Sequence, residues 1–271
     1  MSIIKALGRV AFAFTFIFIV QLNITAQQKP TYVLVTMIKT EPGKSGDYEK
    51  LINSYGARMF NERIKSGELA TWALYSVGMR SDLSDDYDYV SVATSTNIKG
   101  LMEPSKGPME IFKQLMPGAT QDMLDAIGPQ YNAVRKVVGQ MVLINLDGLQ
   151  PTDRKFYEIN YMQTPPGKED AYVKLEKEIY KPLHKERMAS GEITGWGLYA
   201  VVYPYSDSRG FNYVTANAFN NWEKMLTSDY SAAFKKAHPK GDMAKVSAET
   251  GAARKMSKTE TWRLITRMEG K

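Results

Sequence analysis

Few residues in this chain of 271 amino acids have the type and spacing that chemistry needs. Histidine occurs only as His184 and His238, and cysteine does not occur. Without cysteine there are no disulfides, thiolate catalysis, iron–sulfur clusters, cysteine zinc sites or lipidated cysteines. Two isolated histidines without a third ligand do not make a metal site. His184 is then the one residue able to act as acid, base or haem ligand, while His238 reads as a helix-end residue beside Pro239. Asp82, Asp85, Asp86 and Asp88 offer hard oxygen ligands in one loop, but their spacing lacks the glycine and terminal glutamate of a calcium loop, so a solvated turn is the plainer reading. Gly43-Lys44-Ser45 ends like a phosphate-binding loop, yet Ile38 stands where that loop needs glycine. No motif identifies a substrate or a reaction.

Comparing the chain with itself says more. Residues 32–102 align without a gap with residues 156–226, with about twenty identities, a periodicity that marks a tandem duplication. Glu62-Arg63, Ser66-Gly67-Glu68, Trp72 and Leu74-Tyr75 reappear as Glu186-Arg187, Ser190-Gly191-Glu192, Trp196 and Leu198-Tyr199. Residues kept in both copies suit shared architecture. Each Glu-Arg pair reads as a clamp between helix end and strand, with Trp72 or Trp196 packed over it, and Arg135 or Arg254 could hold a carboxylate or phosphate where the last strand begins.

Differences between the copies are where function would show. Leu34 and Thr36 become Glu158 and Asn160; Ser91 and Ala93 become Thr215 and Asn217, beside Tyr89 and its counterpart Tyr213. Strand alternation puts Glu158 and Asn160 on one face, and Tyr213, Thr215 and Asn217 on one face. If the two faces coincide, the second copy holds a polar, aromatic-edged pocket; if they face solvent, these are ordinary polar positions. The candidate ligand-binding set is Glu158, Asn160, Arg187, Trp196, Tyr199, Tyr213, Asn217 and Arg254.

The elements that must position these residues follow from periodicity. Residues 32–39 and 156–163 alternate and are rich in β-formers, and Pro42-Gly43 and Pro166-Gly167 turn each strand into a helix. Tyr48, Leu51, Ile52, Tyr55 and Met59, like Tyr172, Leu175, Ile179 and Leu183, recur at helical intervals as one apolar stripe. Gly67 and Gly191 close these helices. Paired strands are expected at 71–77 with 89–94 and at 195–201 with 213–218. A second helical region follows, broken by Pro104, Pro108 and Pro117 in the first copy and running from Asn221 to about Ala237 in the second, where Pro239 stops it. Last strands are expected at 138–145 and 260–267, with residues 147–153 as the link.

The order in each copy is β-α-β-β-α-β, an α+β unit with a four-stranded sheet and both helices on one face. On this order and duplication the chain resembles the dimeric α+β-barrel superfamily, which includes antibiotic-biosynthesis monooxygenases, haem-degrading monooxygenases, chlorite dismutases and NIPSNAP-like proteins. The resemblance covers residues 32–267 and implies two ferredoxin-like repeats, 27–148 and 149–271, packed sheet to sheet as an intramolecular pseudo-dimeric barrel.

Residues 1–26 have a basic start at Lys5 and Arg9 and an apolar run from Val10 to Val20, too short to span a bilayer, and read as a cleaved secretory signal. Hydrophobic content of 44% and charged content of 24% fit a globular chain, and a formal charge of +6 fits solvated lysines. The expectation is an exported monomer, periplasmic or extracellular, that binds a small organic or anionic ligand without catalysis or cofactor. One alternative is a cofactor-free oxygenase or haem-linked enzyme in which Tyr199, Arg187 or Arg254 orients an anionic aromatic substrate and His184 is acid, base or ligand. Another is an oligomerising module. Nucleic-acid binding ranks last, because the strand signature of RNA-recognition domains is missing.

Overall fold

A computed structural model describes residues 29–206 and 209–270; the expected signal segment lies outside them. Eight strands, β1 (Tyr32–Thr40), β2 (Thr71–Arg80), β3 (Tyr89–Ser95), β4 (Arg135–Leu149), β5 (Phe156–Gln163), β6 (Gly195–Tyr203), β7 (Tyr213–Phe219) and β8 (Lys255–Glu269), form one closed antiparallel barrel in the order β1-β3-β2-β8-β5-β7-β6-β4. Within each half the neighbours run fourth, first, third, second strand. The halves are not merely stacked sheets: β2 pairs with β8 and β4 with β6, so hydrogen bonds close both seams and leave no open edge.

This closure explains why the last strands are longer than their alternation suggests. β4 pairs with β1 from Arg135 to Ile144 and with β6 from Val142 to Leu149. Asp147-Gly148 therefore belongs to the strand, and the link shortens to residues 150–155.

Helices cover the outside. The first half has α1 (Ser45–Leu51), a π-helical turn (Ile52–Gly56), α2 (Ala57–Lys65), α3 (Ile98–Met102), α4 (Pro108–Leu115), α5 (Gln121–Asp125) and α6 (Ile127–Val134). The second has α7 (Glu169–Leu175), a π-helical turn (Glu176–Tyr180), α8 (Lys181–Ala189), α9 (Trp222–Leu226), α10 (Tyr230–Ala237) and α11 (Met243–Ala253). Gly67 and Gly191 follow α2 and α8 at φ of 77° and 71°, the left-handed backbone that ends a helix. Pro239 does stop α10, but the Asp242 side chain accepts from the amides of Ala244 and Lys245 and starts α11 anew, a helix the apolar pattern does not announce. Among the described residues no helix is long and apolar enough to cross a membrane.

Alternation sorts every strand between two environments. Val33, Val35, Tyr75, Val90, Leu143, Ile159, Tyr161 and Trp262 point into the lumen and form one core. Leu34, Ile38, Trp72, Leu74 and Ala93 in the first half, and Met162, Trp196, Leu198 and Tyr213 in the second, point out against the helices.

Candidate functional site

Direct pairing settles the relation of the two polar strand faces. Glu158 sits opposite Asn217, Asn160 opposite Thr215 and Met162 opposite Tyr213, so all share the helix-facing side of the sheet. Asn217 donates to Glu158 at 2.8 Å and Asn160 donates to the same oxygen at 3.3 Å, while Thr259 donates to Asn160 at 2.8 Å. Tyr213 packs edge-on to Tyr172, 5.0 Å between centroids. Seven of the eight candidate residues flank this helix–sheet layer. Tyr199 does not: it lies three positions from Trp196 along β6, hence on the opposite face, and joins the lumen core.

The π-helical turn adds a residue absent from the candidate set. Glu176 is 4% exposed; burial pushes its carboxyl up to about 7, against the opposing influence of the Tyr172 hydroxyl and the Arg254 charge. Tyr230, pushed up to about 12 by burial, senses the charges of Arg187, Glu158 and Glu176, which places all four in one neighbourhood. Two buried polar atoms around this cluster lack a hydrogen-bond partner, Asn217 Oδ1 and Arg254 Nε. A carboxyl poised near neutrality among unpaired polar atoms is the arrangement that acid–base chemistry or a polar ligand requires. Glu176 was findable, since its counterpart at the same spacing is Ile52.

His184 is committed elsewhere. Its ring stacks on Trp196 at 5.4 Å, and its Nδ1 meets Arg187 Nη1 at 3.1 Å. A guanidinium only donates, so Nδ1 accepts and the neutral ring carries its proton on Nε2. Burial, then the Arg187 charge, holds its pKa well below the usual range. Arg187, 1% exposed, also pairs with Glu192 at 2.7 Å, bonds Ser228 and stacks on Tyr230 at 4.0 Å. Its counterpart Arg63 pairs with Glu68 at 3.0 Å and donates to the Gly100 carbonyl at 2.8 Å. The clamp thus uses the glutamate after the helix; Glu62 pairs with Lys65 on the surface. In the Asp82–Asp88 loop, Lys39 pairs with Asp85 and Asp88, and no group of three or more His, Asp or Glu side chains placed to hold a metal ion occurs among the described residues.

At the equivalent place the first half is open. A cavity of about 410 Å³ lies between helices and sheet, lined by Leu34, Thr36, Ile52, Gly56, Phe60, Ser91 and Ala93, where the second half carries Glu158, Asn160, Glu176, Tyr180, His184, Thr215 and Asn217. Met59, Met109, Phe112 and Ile127 extend the apolar wall. Arg135 is the charged group at its edge whose buried Nε has no partner, and the guanidinium lies 5.6 Å from the Tyr131 ring. The π-helical turns supply the decisive pairs, Ile52 against Glu176 and Gly56 against Tyr180; such turns recur at functional sites. A Cβ at Gly56 would come within 2.9 Å of both Ile52 Cδ1 and the Tyr131 hydroxyl, which donates to the Leu51 carbonyl at 2.9 Å, so those side-chain ends would have to shift to admit it. Gly56→Ala is expected to cost about 1–3 kcal/mol by overpacking, read as a lowered urea midpoint at unchanged slope.

No family model and no curated protein matches the chain. Solved structures do match in fold. A candidate monooxygenase from Lactobacillus acidophilus NCFM superposes with a TM-score of 0.50 at 11% identity, covering 89% of this chain and 97% of that one. A candidate monooxygenase from Fusobacterium nucleatum does so with a TM-score of 0.50 at 8% identity, covering 89% and 95%. A candidate chlorite dismutase follows with a TM-score of 0.48 at 12% identity, covering 88% and 96%. At these identities the likeness is one of fold: a mixed α/β chain around a closed eight-stranded antiparallel barrel.

Proposed function

We propose that the protein is a small-ligand-binding barrel built from a duplicated βαββαβ unit, and that its ligand is an apolar molecule with an acidic group, held in the first-half chamber. The observation that carries this is the chamber itself, about 410 Å³ with an apolar wall and the unpaired Arg135 Nε at its edge. That volume is in the range of small-molecule pockets, and flexible Met59 and Met109 suit an aliphatic chain. On this reading the chain is exported and works as a monomer, because the second half already occupies the place of a partner.

Calorimetric titration of the purified chain with decanoate tests it. One site per chain is expected, with Arg135→Met weakening binding by about tenfold and Ala93→Phe, which fills the chamber from the sheet, removing it. No binding at millimolar decanoate, or binding indifferent to both variants, refutes the reading.

A second reading rests on Glu176. In it the second half is an acid–base site of the kind a cofactor-free oxygenase needs, with Glu158, Asn160 and Asn217 orienting a polar substrate and Glu176 exchanging a proton. Carbon NMR of the glutamate carboxyls decides: a Glu176 midpoint near 7 supports it, and one in the ordinary glutamate range removes it. Haem does not fit through His184, since ligation by Nε2 would move the ring proton to Nδ1, against the Arg187 donor. The first-half chamber has no histidine or cysteine in its lining.

A further inference from the structure

The lumen is a separate compartment that neither reading uses. One end is plugged by Tyr87, Tyr161 and Glu260, whose carboxylate accepts from both tyrosine hydroxyls. Above that plug the barrel is not filled: a cavity of about 350 Å³ runs toward the opposite end. Its middle is aromatic, formed by Tyr75, Tyr157, Tyr199 and Trp262. Tyr75 meets Tyr157 edge-on at 5.5 Å and Trp262 at 5.7 Å, so the rings stand along the wall instead of collapsing into one stack.

Gly197 keeps that space open. A Cβ there would lie 2.6 Å from the Tyr199 hydroxyl oxygen and 2.7 Å from its ring, so only glycine lets Tyr199 lie back against β6. The corresponding first-half residue is Ala73. Burial pushes Tyr199 up to about 12 and Tyr75 well above its usual value, so these two hydroxyls are neutral and carry no competing charge.

The mouth is basic and polar. Arg154 and Arg267 line it together with Asn145, Gln150 and Thr94. Both arginines lean on one carboxylate, Glu269, which Arg154 meets at 2.8 Å and Arg267 contacts directly. Two guanidinium groups against one carboxylate leave a net positive charge. Arg154 and Arg267 side chains retain 21% and 19% of their exposure, so the charge is reachable from solvent.

We propose that the barrel lumen is a second ligand site, for a small aromatic carboxylate whose rings lie among Tyr75, Tyr157, Tyr199 and Trp262 and whose carboxylate is held by Arg154 and Arg267. The planar guanidinium matches a carboxylate in a fork, and the aromatic wall matches a flat ring edge to face. Glu269 is the internal occupant of the anion position and competes with the ligand.

The test is calorimetric titration of the purified chain with 1-naphthoate, and with neutral 1-naphthalenemethanol for comparison. One naphthoate per chain is expected, with the alcohol and the Arg267→Met variant each binding about tenfold more weakly. Ala216→Leu, which narrows the lumen from β7, should abolish binding; circular dichroism checks that it folds. Glu269→Gln should tighten binding, an opposite sign that simple loss of structure would not produce. Arg135→Met, at the helix–sheet chamber, should leave it unchanged. Absence of binding to the wild-type chain, or binding indifferent to Arg267→Met and Glu269→Gln, overturns the proposal. Binding lost in Arg135→Met but kept in Ala216→Leu would assign naphthoate to the chamber and equally overturn it, whereas failure of decanoate alone would leave it standing.

Discussion

Replacing Glu260 by alanine is expected to remove about 3–5 kcal/mol of folding stability, more than any other single change considered for this chain. The side chain has no solvent exposure. Its oxygens accept from the hydroxyls of Tyr87 at 2.5 Å and Tyr161 at 3.0 Å, from the indole of Trp262 at 3.0 Å and from Lys258 at 2.8 Å, with Arg80 Nε 3.7 Å away. Burial alone would raise its pKa, but the hydrogen bonds from Lys258 and Tyr87, together with the Lys258 charge, hold it below the usual glutamate range. The group is therefore ionised in the folded chain. Removing it strands the buried donors of Tyr87, Tyr161 and Trp262 and leaves the Lys258 cation with only the longer contact to Asp82 at 3.9 Å. Glu260→Gln should cost less, since one carbonyl still accepts, but its amide must face donors. The folded pKa is depressed, so the stabilisation is complete above the ordinary glutamate range and is lost as pH falls through the folded value. Urea denaturation at neutral pH measures the difference, and a loss below about 1 kcal/mol would mean that the cluster relaxes around the gap.

How far the sequence reaches is set by the range of the interactions involved. Alternation in β1 and β5, the glycines after α2 and α8 and the helical stripe of Tyr172 and Leu183 are local signals, and they translate directly into elements. The gathering of Glu158, Asn160 and Asn217 could be posed from alternation but not decided, because the shared face depends on β5 pairing with β7 in a particular register. Tyr199 was decidable: three steps along a strand reverse the face, so it cannot accompany Trp196. The Glu260 cluster was not, since it joins Tyr87, in a segment legible only as a polar connection, to a strand 173 positions away. The first-half chamber was hidden for another reason. Apolar Leu34, Ile52 and Ala93 read as core, and only the placement of helices over the sheet reveals that they line an opening.

Glu176→Gln is expected to change the pH dependence of stability in a way no surface substitution would. The folded carboxyl titrates at about 7 and the unfolded one near 4.5, so between these values the folded chain binds the extra proton. Stability contributed by the protonated group is full below about pH 4.5 and is lost as pH rises through about 7, a difference of about 3 kcal/mol. Glutamine mimics the protonated acid and cannot ionise. The two proteins should therefore unfold alike near pH 4, with the variant gaining stability toward pH 8. A gap that does not vary with pH would show that Glu176 stays charged in the fold. Arg254 supplies the opposing control: its charge favours the carboxylate, so Arg254→Met should raise the carboxyl further and steepen the wild-type loss. Apolar Ile52 occupies the equivalent position in the first half without any such pH cost. The cost that Glu176 carries at neutral pH is therefore one that the first half, with its apolar counterpart, does not bear.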